Sequence, residues 1–233
     1  MKNIIYFGYD LFYPCFEYLS SKSDVNILKV YSFESDGMYD FHDKIKEQCN
    51  KKGIPFTIEK ITEKEIKKQF EENNCDLAFS AGYAYKIPTE STPLFKGVNI
   101  HPALLPNGRG AWPFPHIILK ELKKSGVTVH KIAKEFDKGD IILQEEFDVS
   151  NEDNIFSLEE KARKCALDLT RELFSDFENC YNNAYPQGVG EYWPLVSSED
   201  STVYIDTPET EKQKIIRAFG KEFVTFSDKK RGE

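Results

Sequence analysis

Apolar and polar positions change period along the first 150 residues in a way that spells alternating strands and helices. Asn3–Phe7 is a short apolar run closed by Gly8, the pattern of a buried strand. Asp10 can then cap a helix that sets Phe12, Cys15, Phe16 and Leu19 on one face. Val25–Tyr31 is a second strand, and Phe41, Ile45 and Cys49 mark a helix that stops near Gly53. Thr62 and Glu65 make a capping box before Ile66 and Phe70. Leu77–Ser80 is another buried strand, followed by an aromatic loop from Gly82 to Pro88. Val98–His101 leads into a loop rich in Pro and Gly. A helix follows, with Pro113 and Pro115 in its first turn and Ile117, Ile118 and Leu122 facing inward. Val127–Ile132 and Ile141–Val149 read as partner strands. This β-α-β rhythm predicts an α/β fold with a doubly wound, mostly parallel sheet and helices on both faces.

Asn154–Phe177 predicts one long helix, with Ile155, Leu158, Ala162, Cys165 and Leu169 in one stripe. From Tyr185 the chain becomes aromatic and turn-rich, through Tyr185-Pro186-Gln187-Gly188 and Tyr192-Trp193-Pro194. Thr207 and Pro208 then open a helix that carries Ile215, Ile216 and Phe219 and ends at Gly220. The expected organisation is a main domain over 1–180 and a small C-terminal appendage over 185–233.

Composition narrows the class. The 233 residues can bury a core without metal or disulfide staples. A hydrophobic share of 40% beside 30% charge places the chain among soluble globular proteins. The net charge of −8 argues against a nucleic-acid partner, because neutralising phosphates needs clustered Lys and Arg on a basic face. The five cysteines are odd in number and lack CxxC spacing, so they read as free thiols of a reducing compartment. With no signal peptide and no apolar run of membrane length, the expected location is cytoplasmic, away from any membrane.

In open α/β sheets ligands bind at the carboxyl ends of strands, so those ends are where chemistry is sought. Gly8-Tyr9-Asp10-Leu11-Phe12-Tyr13 is not GxGxxG, which argues against a dinucleotide site. No GxSxG elbow or P-loop is present. Strand alternation puts Asn99 and His101 on one side while Val98 and Ile100 face the core. The next loop ends Asn107-Gly108-Arg109-Gly110, where Arg109 is a cation that could meet a ligand phosphate or carboxylate. A second loop, Glu135-Phe136-Asp137-Lys138-Gly139-Asp140, could bring a carboxylate beside His101, and spacing does not choose between Asp137 and Asp140. His42, His116 and His130 have no Cys or Glu at ligand spacing, so no metal is expected.

Asn99-Ile100-His101-Pro102-Ala103-Leu104-Leu105-Pro106 with Arg109-Gly110 resembles the signature of the folate-dependent formyltransferases. The stretch from Gly126-Val127-Thr128-Val129-His130 to Asp137-Lys138-Gly139-Asp140 is similar to that family's second motif. The resemblance covers most of residues 1–180 and implies a Rossmann-like sheet. It also implies Asn99, His101 and Asp137 as catalytic residues and N10-formyltetrahydrofolate as formyl donor. Asn99 and a protonated His101 would stabilise the oxyanion formed when an amine attacks the formyl carbon. Asp137 would orient the imidazole and raise its pKa, or pass the proton through a water. The pterin pocket would be lined by the loops Tyr83 to Pro88 and Ala133 to Asp137, giving Tyr83, Tyr85, Lys86, Ile87, Leu104 and Phe136 as cofactor contacts.

Within that family, the acidic charge and the end of the sequence at Glu233 disfavour a methionyl-tRNA formyltransferase-like enzyme. The first-strand turn is poorer in glycine than that of a glycinamide ribonucleotide formyltransferase. A nucleotide-linked amino-dideoxy sugar, UDP- or dTDP-linked, is the favoured acceptor. Arg109 and Gly110 would meet the substrate, and Tyr192 or Trp193 would stack the base. The product would feed polysaccharide biosynthesis. A formyltetrahydrofolate hydrolase with the same three residues is the alternative from another class, and a homodimer is left open.

Overall fold

The N-terminal apolar run becomes β1 (Lys2–Gly8), near the middle of a seven-stranded sheet in a computed structural model that describes residues 1–232. The other strands of that sheet are β2 (Val25–Tyr31), β3 (Phe56–Thr57), β4 (Leu77–Ala81), β5 (Gly97–His101), β6 (Lys124–Lys131) and β7 (Ile141–Asp148). Their order is β3-β2-β1-β4-β5-β6-β7. The pairings from β3 to β5 are parallel, whereas β6 runs antiparallel to both β5 and β7. The sheet is therefore mostly parallel, as expected. Between β1 and β4 the chain reverses its direction of growth across the sheet, and the crevice at that switch point is where the main cavity opens.

The helices are α1 (Tyr13–Ser21), α2 (Asp43–Lys52), α3 (Glu63–Glu71), α4 (Phe114–Leu119), α5 (Ile155–Ser175), α6 (Phe177–Asn182) and α7 (Glu209–Phe219). The stripe Ile155, Leu158, Ala162, Cys165 and Leu169 is buried as its spacing requires, where α5 packs on α1, α4, β6 and β7. The expected single helix over 154–177 breaks at Asp176, whose extended φ begins α6. Asn154 caps α5 through the backbone N–H groups of Phe156 and Ser157.

Two local expectations are corrected. Asp10 does not cap the helix that follows it. The chain first makes a short 3-10 turn, and Pro14 occupies the opening of α1, where it offers no N–H to cap. The Asp10 carboxylate accepts instead from Lys44 N (2.9 Å) and Ile45 N (3.1 Å) at the start of α2. Thr62 does accept from Glu65 N, but the Glu65 carboxylate is drawn away to Tyr31 Oη at 2.8 Å, so only half of the capping box forms. The short edge strand β3 and a two-stranded parallel pair, β8 (Thr202–Tyr204) with β9 (Thr225–Ser227), have no clear periodic signal in so few residues.

The core is aromatic. Phe16 is fully buried and meets Tyr6 edge-on at 5.1 Å. Phe16→Ala should destabilise the fold by about 3–5 kcal/mol, read from urea unfolding.

Candidate active site

β5 delivers the first two residues. Val98 and Ile100 are buried in the sheet, while Asn99 and His101 line the cavity at its carboxyl end. The following loop folds back so that the Gly108 carbonyl lies 2.7 Å from His101 Nε2. A carbonyl oxygen only accepts, so Nε2 carries the proton and Nδ1 keeps its lone pair. Nδ1 faces Asp137 Oδ1 at 3.7 Å, beyond hydrogen-bond reach.

Asp137 arrives from the loop between β6 and β7. Its backbone is left-handed (φ 55°), an uncommon state for a side chain other than glycine. Gly139 makes the turn feasible, since a Cβ there would lie 1.8 Å from Lys131 O. The Asp137 carboxylate accepts from Gly110 N at 2.9 Å. Gly110 in turn adopts φ 112°, and a Cβ there would strike Trp193 O at 2.5 Å. Asp140, left tied with Asp137 by spacing, faces Lys131 at 3.8 Å and is not among the cavity-lining residues.

The structure adds His130 to this group. β5 and β6 register Asn99 against His130, and Asn99 Nδ2 lies 3.0 Å from His130 Nε2. His130 Nδ1 donates to Lys131 O at 2.8 Å, which makes Nε2 the acceptor and turns the amide nitrogen of Asn99 toward it. His130 Nε2 is also 3.6 Å from Asp137 Oδ1. Periodicity marked His130 only as a mid-strand residue, and the antiparallel register of β5 and β6 is the signal that places it.

Electrostatics reverse one expectation. Burial pushes the His101 imidazole below its ordinary value. The Asp137 carboxylate and the Gly108 carbonyl pull it upward, His130 pushes it further down, and burial prevails. At neutral pH His101 is therefore neutral rather than protonated. For Asp137, burial alone would raise the pKa, but His101, His130 and the Gly110 N–H outweigh it and hold the carboxyl well below the usual carboxylate range. The result is a neutral base with one free lone pair, an oriented amide and a fixed anion.

The cavity is about 860 Å³ and mostly apolar. Tyr83, Tyr85, Lys86, Ile87 and Phe136 all line it. Leu104 does not. The Pro-rich loop turns it to the opposite side, where it lines a separate cleft with Lys120 and Ser125. Arg109 is also corrected: it is 7% exposed, with Nε and Nη2 bound to Gln187 Oε1 and Nη2 also to Gly188 O. An isolated Arg between glycines looked free, but it anchors the C-terminal segment. Gly110 spends its N–H on Asp137. Trp193 is 6% exposed and packs against Gly108 and His116, with its indole N–H on Glu191. Packed in this way, it serves as an anchor more than as a stacking platform. Tyr192 stays half-exposed, lines the cavity, and donates to Phe136 O. Among the described residues no group of three His, Cys, Asp or Glu is placed to hold a metal ion, and no helix is long and apolar enough to cross a membrane.

Fold and site together define a class: a doubly wound α/β protein with an amide, an imidazole and a carboxylate converging at a sheet end, an arrangement suited to acyl transfer to an amine. The chain belongs to the formyl transferase family, whose model matches residues 17–170. A methionyl-tRNA formyltransferase of Treponema denticola is 31% identical over 191 residues, which is 80% of this chain and 59% of the relative. The chain thus spans about three fifths of the length of such curated relatives. A sugar N-formyltransferase from Shewanella sp FDAARGOS_354 shares the fold, with TM-score 0.74 and 20% identity, over 100% of this chain and 94% of that one. HypX from Aquifex aeolicus in complex with tetrahydrofolic acid does so with TM-score 0.67 and 18% identity, over 94% of this chain and 34% of that one.

The charge state makes a testable statement. Both groups are depressed in the folded state, so the unfolded chain binds more protons and stability falls as pH falls. The His101 contribution is complete above about pH 6.5, and that of Asp137 above about pH 4. Asp137→Asn should cost about 1.5–3 kcal/mol at neutral pH, and the gap to wild type should begin to narrow below about pH 4 and shrink further as pH falls, in urea unfolding.

Proposed function

We infer that the protein transfers a formyl group from N10-formyltetrahydrofolate to the amine of a nucleotide-linked amino-dideoxy sugar, UDP- or dTDP-linked. The observation that carries the reading is the convergence of Asn99, His101 and Asp137 on one cavity wall. The folate supplies the formyl group. The surroundings suit it: the loops at Tyr83–Ile87 and Ala133–Asp137 offer an apolar slot for a flat ring, and Lys86 suits a ligand carboxylate.

The residues divide the work. His101 Nδ1, neutral and unprotonated, takes the proton from the attacking amine. The imidazolium so formed lies between the Gly108 carbonyl and the Asp137 carboxylate, which stabilise it without taking its proton. The Asn99 amide, held by His130, donates its other N–H to the formyl oxygen as negative charge develops there. His101 then returns the proton to the leaving nitrogen.

The remaining lining of the cavity suits a sugar. Tyr9, Tyr39 and Trp112 belong to it, and so does Asp40. The Asp40 carboxyl is pushed up to about 6 by burial and by Asp36, so at neutral pH it is still mainly a carboxylate that accepts from a hydroxyl. Lys86 is the one Lys or Arg among the described lining residues, and Arg109 is turned away. The catalytic unit in this reading is 1–180, with 185–233 completing its cavity through Tyr192, Trp193 and Leu195.

Asn99→Ala and His101→Ala should each lower transfer on the order of a hundredfold to a thousandfold while the circular dichroism spectrum is kept. A near-wild-type rate in either would remove that residue from the mechanism. The acceptor is tested with a panel of UDP- and dTDP-linked amino-dideoxyhexoses, glycinamide ribonucleotide, methionyl-tRNA and no amine, all with N10-formyltetrahydrofolate. A formylated sugar nucleotide, seen by mass, supports the reading. Formylation of methionyl-tRNA or the ribonucleotide alone, or formate release without an amine, contradicts it.

A further inference from the structure

Gln187 lies in the segment after α6, 50 residues from Asp137, and has no part in the proton path above. Its amide is nevertheless fully committed beneath the site. Oε1 accepts from Arg109 Nε at 3.0 Å and Nη2 at 2.8 Å. Nε2 donates to Asp137 O at 2.7 Å and Gly139 O at 2.6 Å. One side chain therefore ties together the two loops that carry the reacting groups.

Each tie bears on a catalytic atom. Arg109 sits between Gly108, whose carbonyl fixes the His101 tautomer, and Gly110, whose N–H fixes the Asp137 carboxylate. The same stretch pairs with the C-terminal segment through Arg109 N to Glu191 O and Trp193 N to Arg109 O. On the other side Gln187 takes the carbonyl of Asp137 itself, in the left-handed turn that needs holding. The guanidinium on Oε1 polarises the amide and strengthens its two donated bonds.

We propose that Gln187 is a positioning residue that sets the separation of Asp137 from His101 by bridging the Arg109 loop to the Asp137–Gly139 turn. The 3.7 Å gap between His101 Nδ1 and Asp137 Oδ1 must shorten when Nδ1 is protonated, and the bridge determines where the carboxylate waits. The amide is required chemically. Glutamate at 187 would still pair with Arg109 but would turn a carboxylate toward two carbonyl oxygens. Methionine would fill the space and make neither set of bonds. The inference rests on the assignment of His101 and Asp137 as the working pair.

The test uses the ligand-free protein and NMR. The Gly110 amide proton reports its bond to Asp137, and the imidazole signals of His101 report its titration. The ionisable groups facing that ring are Asp137 and His130. Gln187→Glu and Gln187→Met are compared with wild type and with Asp137→Asn. In both Gln187 variants the Gly110 amide should move upfield toward its position in Asp137→Asn. In Gln187→Met, His101 should also titrate lower by about half a pH unit or more, as it loses the nearby anion. Gln187→Glu keeps the Arg109 pair and so holds the C-terminal segment in place, which lets it decide the matter if the methionine variant does not fold. An unmoved Gly110 amide in the glutamate variant would make Gln187 a mere anchor and overturn the proposal. No substrate enters these measurements, so a failure of formyl transfer in the acceptor panel would leave their outcome readable.

Discussion

The hydrogen bond from His101 Nε2 to the Gly108 carbonyl occupies the one ring nitrogen that could otherwise compete for the proton. With Nε2 committed, the only basic position left is Nδ1, and it faces the Asp137 side of the cavity. Much of the surrounding structure serves that single bond. The loop from Pro102 to Gly110 must return to β5, which it does with the help of the positive φ of Gly108 and Gly110. Thr128 and Gln144 reach across from β6 and β7 to hold it, through Leu105 N, Ala103 O and Leu105 O. The C-terminal segment closes over it with Trp193.

A buried imidazole beside a carboxylate can follow either of two electrostatic rules. Proximity to the anion favours the imidazolium, and burial favours the neutral ring. Here the pair is separated by 3.7 Å, and the carboxylate already accepts from Gly110 N and lies near His130. Its pull on His101 is thereby diluted, and desolvation wins. The anion is preorganised for the charged intermediate of the ring rather than for its resting state, which is the arrangement that stabilises a transient charge at little reorganisation cost.

The sequence made the sheet legible because buried strands and amphipathic helices have distinct periods. Val98 and Ile100 facing the core, with Asn99 and His101 facing the cavity, followed from alternation alone. Asp137 needed the resemblance, since two carboxylates in one turn are equivalent by spacing. What could not be read depends on partners distant in sequence. Asp10 caps a helix 34 residues on, His130 meets Asn99 only through strand register, and Gln187 reaches a loop 50 residues back. Arg109 misled for the same reason. A cation between two glycines looks free until the segment that covers it is known.

The protonation and tautomer of His101 are the centre of the account, and 15N NMR of histidine-labelled protein at pH 7 reads both. A neutral ring with its proton on Nε2 and an unprotonated Nδ1 is the result the account predicts. An imidazolium, or a neutral ring protonated on Nδ1, would contradict it.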